Sequence, residues 1–250
     1  MNQHADQPIR PAATVIIVRN ASPQYEIFML RRTHQAAFAG GMYVFPGGRV
    51  DNEDHSPVYD DFHTGPDAKQ SKQREALGDS WQAYWIAGIR ETFEESGLML
   101  AYDDSNSILS YDEESWVKFR DYRKLLTAGE LSLADICQKE NLKLAIDLIH
   151  FYNRWITPEG RPRRFDTRFF ITQAPAKQAG EHDGTETVDS LWISPSKALE
   201  LHARDKFGMM AVTARQLTAF SEYNTADDFI QMARDNTEFP TYHPTLPSTG

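Results

Sequence analysis

The sequence predicts an α/β fold, and three observations carry that expectation. Short runs rich in β-branched and apolar residues open the chain, and one strongly periodic helix follows at Trp81–Ser96. Strand-like alternation then returns at 164–173 and 190–193, ahead of a helical C-terminal part. With 250 residues, 40% hydrophobic and 12% aromatic, the chain holds enough apolar material for a full core in one large domain, or one domain with a small appendage.

Taken in order, Ala13–Val18 (ATVIIV) and Tyr25–Arg31 (YEIFMLR) read as two strands joined by a turn at Asn20, Ser22 and Pro23, a hairpin or meander. A Gly-rich loop, 39–42, leads to a short third strand at Tyr43–Phe45, which Pro46-Gly47-Gly48 stops in a loop. Residues Asp51 to Asp79 are polar, with His55, Pro57, His63, Gly65 and Pro66 and little periodic signal, and read as a long surface insertion. In Trp81–Ser96 the positions Trp81, Tyr84, Trp85, Gly88, Ile89 and Phe93 recur at three and four residues, with Gly97 as the stop. Glu113–Leu126 and Leu131–Lys139 are helical in pattern, with Ser132 as an N-cap candidate, whereas the pattern does not decide Leu144–Trp155. Arg164–Gln173 and Ser190–Ile193 alternate as strands. Ser194-Pro195 then supplies a cap and a proline at the first helical position, opening helices that run to about residue 234.

A formal charge of −10 argues against a nucleic-acid partner, because binding the phosphate backbone needs a broad basic face. The single cysteine, Cys137, excludes an intrachain disulfide and reads as a small buried residue. Met1–Arg10 is polar without an apolar leader, and no stretch approaches the roughly 18 apolar residues of a membrane span. The expectation is a soluble, cytoplasmic protein with no membrane partner. His34, His150 and His202 lack metal-ligand spacing and read as structural.

The chemistry gathers in Arg90-Glu91-Thr92-Phe93-Glu94-Glu95-Ser96-Gly97-Leu98. Glu91, Glu94 and Glu95 lie at i, i+3 and i+4, so they share one narrow arc of the helix. Three like charges there repel one another at the negative end of the helix dipole, and a cation is needed to offset them. A hard divalent ion such as Mg²⁺ takes a few carboxylates and shares its other positions with water and phosphate. Upstream, Gly47-Gly48 after a strand lets backbone approach a metal or phosphate closely.

Together, Gly47 and Glu53 with Arg90, Glu91, Glu94, Glu95, Gly97 and Leu98 resemble the signature of the Nudix family. Two departures stand out. Thirty-six residues, Asp54–Ile89, replace the family's short spacer, which unsettles the role of Glu53, and Thr92 stands where an aliphatic is usual. The interrupted box, with Gly41-x-x-x-Phe45-Pro46-Gly47-Gly48 before it and Trp155-Ile156-Thr157-Pro158 and Arg163–Phe170 after it, is similar to the acyl-coenzyme A diphosphatase branch. Unlike the peroxisomal members, the sequence ends in Pro-Ser-Thr-Gly, not Ser-Lys-Leu.

The resemblance implies a Nudix fold, a mixed sheet sandwiched between helices, as a single domain over 1–250 with an insertion at 51–79 and a helical elaboration at 195–234. It implies Glu91, Glu94 and Glu95 as ligands of Mg²⁺ or Mn²⁺, with the carbonyl of Gly47 as an additional ligand. Glu94, Glu95, Arg90 and Glu186 form the implied catalytic set. Arg90 orients a box carboxylate through a bidentate pair; Glu186, six residues before Trp192, is a ligand or general base, with Glu181 and Asp183 as substitutes. Gly48 and the basic cluster Arg163, Arg164 and Arg168, with Arg161 beside them, are the substrate-binding candidates, the arginines for the 3′-phosphate of coenzyme A. Arg164, Asp166 and Arg168 share one side of a strand, so pairing among themselves is the alternative.

The expected reaction is hydrolysis of coenzyme A or acyl-coenzyme A to adenosine 3′,5′-bisphosphate and (acyl-)phosphopantetheine. ADP-ribose or a dinucleotide is the alternative substrate, and a ligand sensor without turnover is the alternative class. Leu201, Phe207, Met209, Met210, Leu217 and Phe220 are equally consistent with completing the core or with a homodimer interface.

Overall fold

The computed structural model describes residues 7–36 and 39–245. The first six residues of the polar Met1–Arg10 segment and the chain end Pro247–Gly250 lie outside the described residues.

The first strand, β1 (Ile9–Arg19), pairs antiparallel with β2 (Glu26–Arg32). Two short strands follow: β3 (Tyr43–Val44) on β2, and β4 (Gly47–Arg49) on β1. The glycine pair expected in a loop therefore lies in a strand, with Gly47 opposite Thr14 and Gly48 opposite Ala13. After β5 (His63–Thr64) come helix α1 (Ser71–Leu77), helix α2 (Trp81–Ser96) and β6 (Ala101–Tyr102). Helices α3 (Glu113–Thr127) and α4 (Leu133–Glu140) lead to β7 (Lys143–Ala145), β8 (His150–Ile156), β9 (Arg164–Gln173) and β10 (Thr187–Ile193). Helices α5 (Pro195–Ala203), α6 (Ala211–Phe220) and α7 (Ala226–Asp235) precede a last short strand, β11 (Thr241–Tyr242).

The main sheet has the order β10-β2-β1-β9-β8-β11, and β5, β7 and β6 form a small second sheet. The main sheet is mixed, because β1 pairs parallel with β9, and β8 with β11, while the other pairs are antiparallel. Alternation along β1 sorts side chains to opposite faces. Ala13, Val15 and Ile17 pack under α2 with Trp85, Phe93 and Phe170, whereas Ile16 and Val18 pack with Leu217, Phe220 and Phe229 of α6 and α7. The expected layers of helix, mixed sheet and helix are what forms.

Helix α2 matches the periodic segment residue for residue, and Gly97 ends it in the left-handed conformation. Ser132 caps α4 by accepting the N–H of Asp135 at 3.0 Å, and Ser194 caps α5. The undecided stretch Leu144–Trp155 divides into parts of β7 and β8, joined by a 3-10 turn at Ile146–Leu148.

The segment 51–79 is not the structureless surface loop its composition suggests. It forms 3-10 turns at Asn52–His55, Pro57–Asp61 and Ala68–Gln70, then β5 and α1, and it buries Asp54, Tyr59, Gln70, Gln73 and Leu77. Its anchors are side chain to backbone bonds, which leave no apolar period to read: Gln70 donates to the carbonyls of Ile146 and Ile149, and Gln73 accepts the N–H of Phe151. Beyond Ser194, Phe207, Met209, Leu217 and Phe220 are buried in the second core, so these residues serve the core and not a dimer surface. Leu201 packs on that core and Met210 lines a cleft. Among the described residues no helix is long and apolar enough to cross a membrane.

Candidate active site

The C-terminal half of α2 and strand β4 meet on the wall of an open cleft of about 1840 Å³. Its center of charge is Arg90, which is buried. Nε and Nη2 of Arg90 donate to the two carboxylate oxygens of Asp54, both at 2.9 Å, and Nη2 also donates to the carbonyl of Arg49 at 2.9 Å. Nη1 bridges Glu91 at 3.0 Å and Glu94 at 3.2 Å. Arg90 reaches the box carboxylates Glu91 and Glu94 through single bonds; the bidentate pair goes to Asp54, fully buried at the head of the insertion. Glu53 is exposed. The acid that engages the arginine is thus the residue after Glu53, because the turn at Asn52–His55 leaves Glu53 exposed and buries Asp54. A signal existed: Asp54 stands three residues after Asp51 and accepts its N–H at 2.8 Å, a pairing typical of turn starts.

Glu95 is buried and accepts the N–H of Gly47 at 2.9 Å, with Arg32 at 3.6 Å on its other oxygen. Burial pushes Glu95 up to about 8, with the charge of Glu91 adding to the rise, and pushes Glu91 up to about 7 against the opposing pull of Arg90. Burial raises Glu94 too, again opposed by Arg90. Arg123 of α3 donates to the carbonyl of Glu94 at 2.8 Å, so a cation covers the helix end where these anions are disfavored.

Both glycines of β4 are required by close approach. A Cβ on Gly48 would lie 2.4–2.5 Å from the carboxylate of Glu91, and one on Gly47, whose φ is +151°, would lie 2.4 Å from the carbonyl of Ala13. Gly48 therefore leaves the space that the Glu91 carboxylate occupies. Thr92 is fully buried, as the usual aliphatic would be.

Glu186 lines the same cleft, largely exposed, with Oε2 at 3.3 Å from Nη2 of Arg32. Arg32, which sequence reasoning missed, thereby links Glu186 to Glu95. The substitutes fare differently. Asp183 accepts the N–H groups of Glu186 and Thr187 and the hydroxyls of Thr185 and Thr187, which hold it down at about 2 although burial opposes this; it organizes the turn and does not line the cleft. Glu181 does not line it either.

The basic cluster divides. Arg161 and Arg163 are exposed and line the cleft. Arg168 is buried, 2.6 Å from Asp166, with its guanidinium 4.2 Å from the Tyr84 ring, and Arg164 donates to the carbonyl of Thr157. Neither Arg164 nor Arg168 lines the cleft, so neither meets the substrate-binding expectation. The cause is the period of a strand: on β9, Phe165, Thr167 and Phe169 face the cleft, which sends Arg164, Asp166 and Arg168 to the other side. Pairing among the cluster, the alternative reading, holds for Arg168 and Asp166.

Among the described residues no three histidine, cysteine or acidic side chains already converge as a metal cluster. Glu94 is turned to Arg90, and Glu95 to Gly47 and Arg32. The donor set nevertheless fits a hard divalent cation, since it offers only oxygen, and burial and crowding raise the pKa of its carboxylates, so a nearby positive charge would favor their ionized form.

The family model of the NUDT19 Nudix domain matches residues 62–213, more than half of the chain and including the whole second part of the box. The chain belongs to the Nudix family, in its NUDT19 branch. Acyl-coenzyme A diphosphatase NUDT19 of Xenopus laevis is 28% identical over 222 residues, covering 77% of this chain and 58% of that protein. The human protein of that name is 24% identical over 206 residues, covering 70% of this chain and 55% of its own length. The chain thus spans rather more than half the length of these two relatives. The crystal structure of a Nudix hydrolase from Alicyclobacillus acidocaldarius superposes with a TM-score of 0.78 over 91% of this chain and 97% of that one, at 24% identity, which supports the Nudix fold. In Nudix terms, the box is interrupted between β4 and α2, and Asp54 closes the interruption by clamping Arg90.

Proposed function

We propose that this chain is a divalent-metal-dependent diphosphatase acting on a nucleoside diphosphate linked to a second group, with coenzyme A or an acyl-coenzyme A as the preferred substrate. One observation carries the reading: Glu91 and Glu94, held by Arg90, and Glu95, held by Gly47 and Arg32, lie in a cleft whose other side presents Arg161, Arg163 and Arg215, which have no acidic partner among the described residues. An acidic floor alone would repel a diphosphate, so a cation between the two is the arrangement that makes the site productive. The relatives named acyl-coenzyme A diphosphatases support the substrate. The two cores share one sheet, which supports reading 1–250 as a single domain.

In this mechanism Glu91, Glu94 and Glu95 hold Mg²⁺ or Mn²⁺, with the carbonyl of Gly47 as a further oxygen. Held there, such an ion would offset the charge of the diphosphate and would make water more acidic for an in-line attack on one phosphorus. Arg90, fixed by Asp54, orients Glu91 and Glu94. Arg32 holds Glu95 beside Glu186, and the carboxylate of one of these two accepts the proton of the attacking water. Gly48 keeps backbone, not side chain, against the reacting phosphate.

The test incubates purified protein with coenzyme A, acyl-coenzyme A, ADP-ribose and dinucleotides, with Mg²⁺, with Mn²⁺ and with chelator. Metal-dependent release of adenosine 3′,5′-bisphosphate from coenzyme A, reduced at least about 100-fold in both Glu94→Gln and Glu95→Gln, is the expected result. Cleavage of ADP-ribose or dinucleotides alone would keep the box chemistry and reject the coenzyme A assignment. Tight binding without turnover of any compound would make the protein a sensor.

A further inference from the structure

One cross-strand row of paired residues runs away from the glycine strand: Arg49 on β4, Ala12 on β1, Thr167 on β9, Trp155 on β8 and Tyr242 on β11. Three strand spacings separate the backbones of Arg49 and Trp155, about 14 Å. At the far end Trp155 stacks on Tyr242 with ring centroids 4.5 Å apart. The guanidinium of Arg215, from α6, lies 5.2 Å from the Tyr242 ring and 5.8 Å from the Trp155 ring.

Arg161 and Arg163 project from the connection between β8 and β9, and Arg10 on β1 pairs in register with Phe165. These four arginines are exposed and line the cleft. Among the described residues none of them has a carboxylate partner, although the chain as a whole carries ten more negative than positive charges. The only acid between Trp155 and Phe165 is Glu159, which does not line the cleft. The indole N–H of Trp155 is buried without an acceptor among the described residues, so this end also holds a donor that is not satisfied. A guanidinium held beside aromatic rings has N–H groups left to donate, and its planar fork matches two oxygens of a phosphate.

We propose that this end of the cleft is a second anion subsite, which holds a phosphomonoester on the nucleoside half of the substrate while the scissile diphosphate lies at the α2 carboxylates. The inference rests on the diphosphatase reading for its second half and on Arg10, Arg161, Arg163 and Arg215 for its first. It replaces Arg164 and Arg168, which the fold commits elsewhere, with Arg10 and Arg215, which no sequence motif connects to Arg161 and Arg163.

The test has a binding arm and a turnover arm. Binding of adenosine 3′,5′-bisphosphate and of AMP is measured by calorimetry on wild type, on the double variant Arg161→Ala/Arg163→Ala and on Arg215→Ala. Wild type is expected to bind the bisphosphate at least about tenfold more tightly, and both variants are expected to lose that preference while keeping AMP affinity. Equal affinity of wild type for both ligands, or equal weakening of both in the variants, would overturn the subsite. In the turnover arm, coenzyme A is compared with 3′-dephospho-coenzyme A; the variants are expected to raise KM for the former at least about tenfold more than for the latter, and an equal rise for both would overturn the subsite. A wild type that cleaves neither compound while still discriminating the two nucleotides would reject the diphosphatase reading and leave the anion subsite standing.

Discussion

At the α2 end of the cleft Arg90 and its neighboring carboxylates hold one another, whereas at the β8–β11 end the arginines that line the cleft have no acidic partner among the described residues. Arg90 is bound on all three nitrogens by Asp54, Glu91, Glu94 and a carbonyl, and all of these groups are wholly or largely buried. Arg161 and Arg163 are exposed and touch no carboxylate among the described residues. Breaking a buried pair costs about 3–5 kcal/mol because it strands a charge, while an exposed charge contributes about 0–1 kcal/mol. The difference separates two jobs that look alike in a sequence. The inner network fixes orientation and resists change; the outer arginines cost the fold nothing to keep and remain available to a ligand.

Breaking the inner network gives the largest effect. Asp54→Ala leaves Arg90 buried without its bidentate partner and should lower stability by about 3–5 kcal/mol, a fall in Tm of roughly 10 °C for a chain of this size. Glu53→Gln, one residue earlier on an exposed side chain, should stay within about 0.5 kcal/mol of wild type. Thermal unfolding of the pair decides which acidic residue supports the box. Equal stability of the two variants would mean that Glu53 and Asp54 share the role.

A smaller effect separates geometry from stability at the same end. Gly48→Ala places a methyl group 2.4–2.5 Å from the Glu91 carboxylate, which is the tip of a flexible side chain and not backbone. The side chain turns away at a cost to folding of about 1 kcal/mol or less, but its oxygens leave the cluster. Activity should fall at least about tenfold while Tm changes by no more than about 3 °C. An active Gly48→Ala enzyme would show that Glu91 does not need its observed position.

These residues also mark where the sequence was readable. The helix 81–96 and its three glutamates were legible because the period of an α-helix repeats over four turns and Gly97 closes it. Strand β9 was legible from alternation, and the same alternation explains why reading the arginines as one cluster failed: residues two apart face one way, so Arg163 and Arg164 part company. Arg32, Arg215 and Tyr242 were not legible, since each reaches the cleft or its backing through contacts with residues distant in sequence. The insertion misled for a related reason. It is tied down by Gln70, Gln73 and Asp54, polar side chains whose partners lie many residues away and which leave no hydrophobic period.

The smallest expected effect tests whether the inner end is crowded with carboxylates waiting for a cation. Burial raises Glu91 to about 7 and Glu95 to about 8 from an ordinary value of 4.5. A carboxyl whose folded pKa lies above its unfolded one binds its proton more tightly when folded, so its contribution is full at acid pH and is lost as pH rises through the folded value. His150 has the opposite sign: burial lowers it to about 4 from 6.5, so its neutral form favors folding and its effect fades above pH 6.5. Between pH 6.5 and 8.5 the carboxylates therefore act without His150. In chelator, Tm should fall by about 2–4 °C across that window, and saturating Mg²⁺ should remove the fall by binding the deprotonated form. Glu95→Gln should flatten the chelator curve, whereas Arg161→Ala/Arg163→Ala should not change its slope, because arginine does not titrate there. A flat wild-type curve in chelator would mean that the three glutamates spread apart in solution, and the contrast between a self-held inner end and an open outer end would then fail at its inner half.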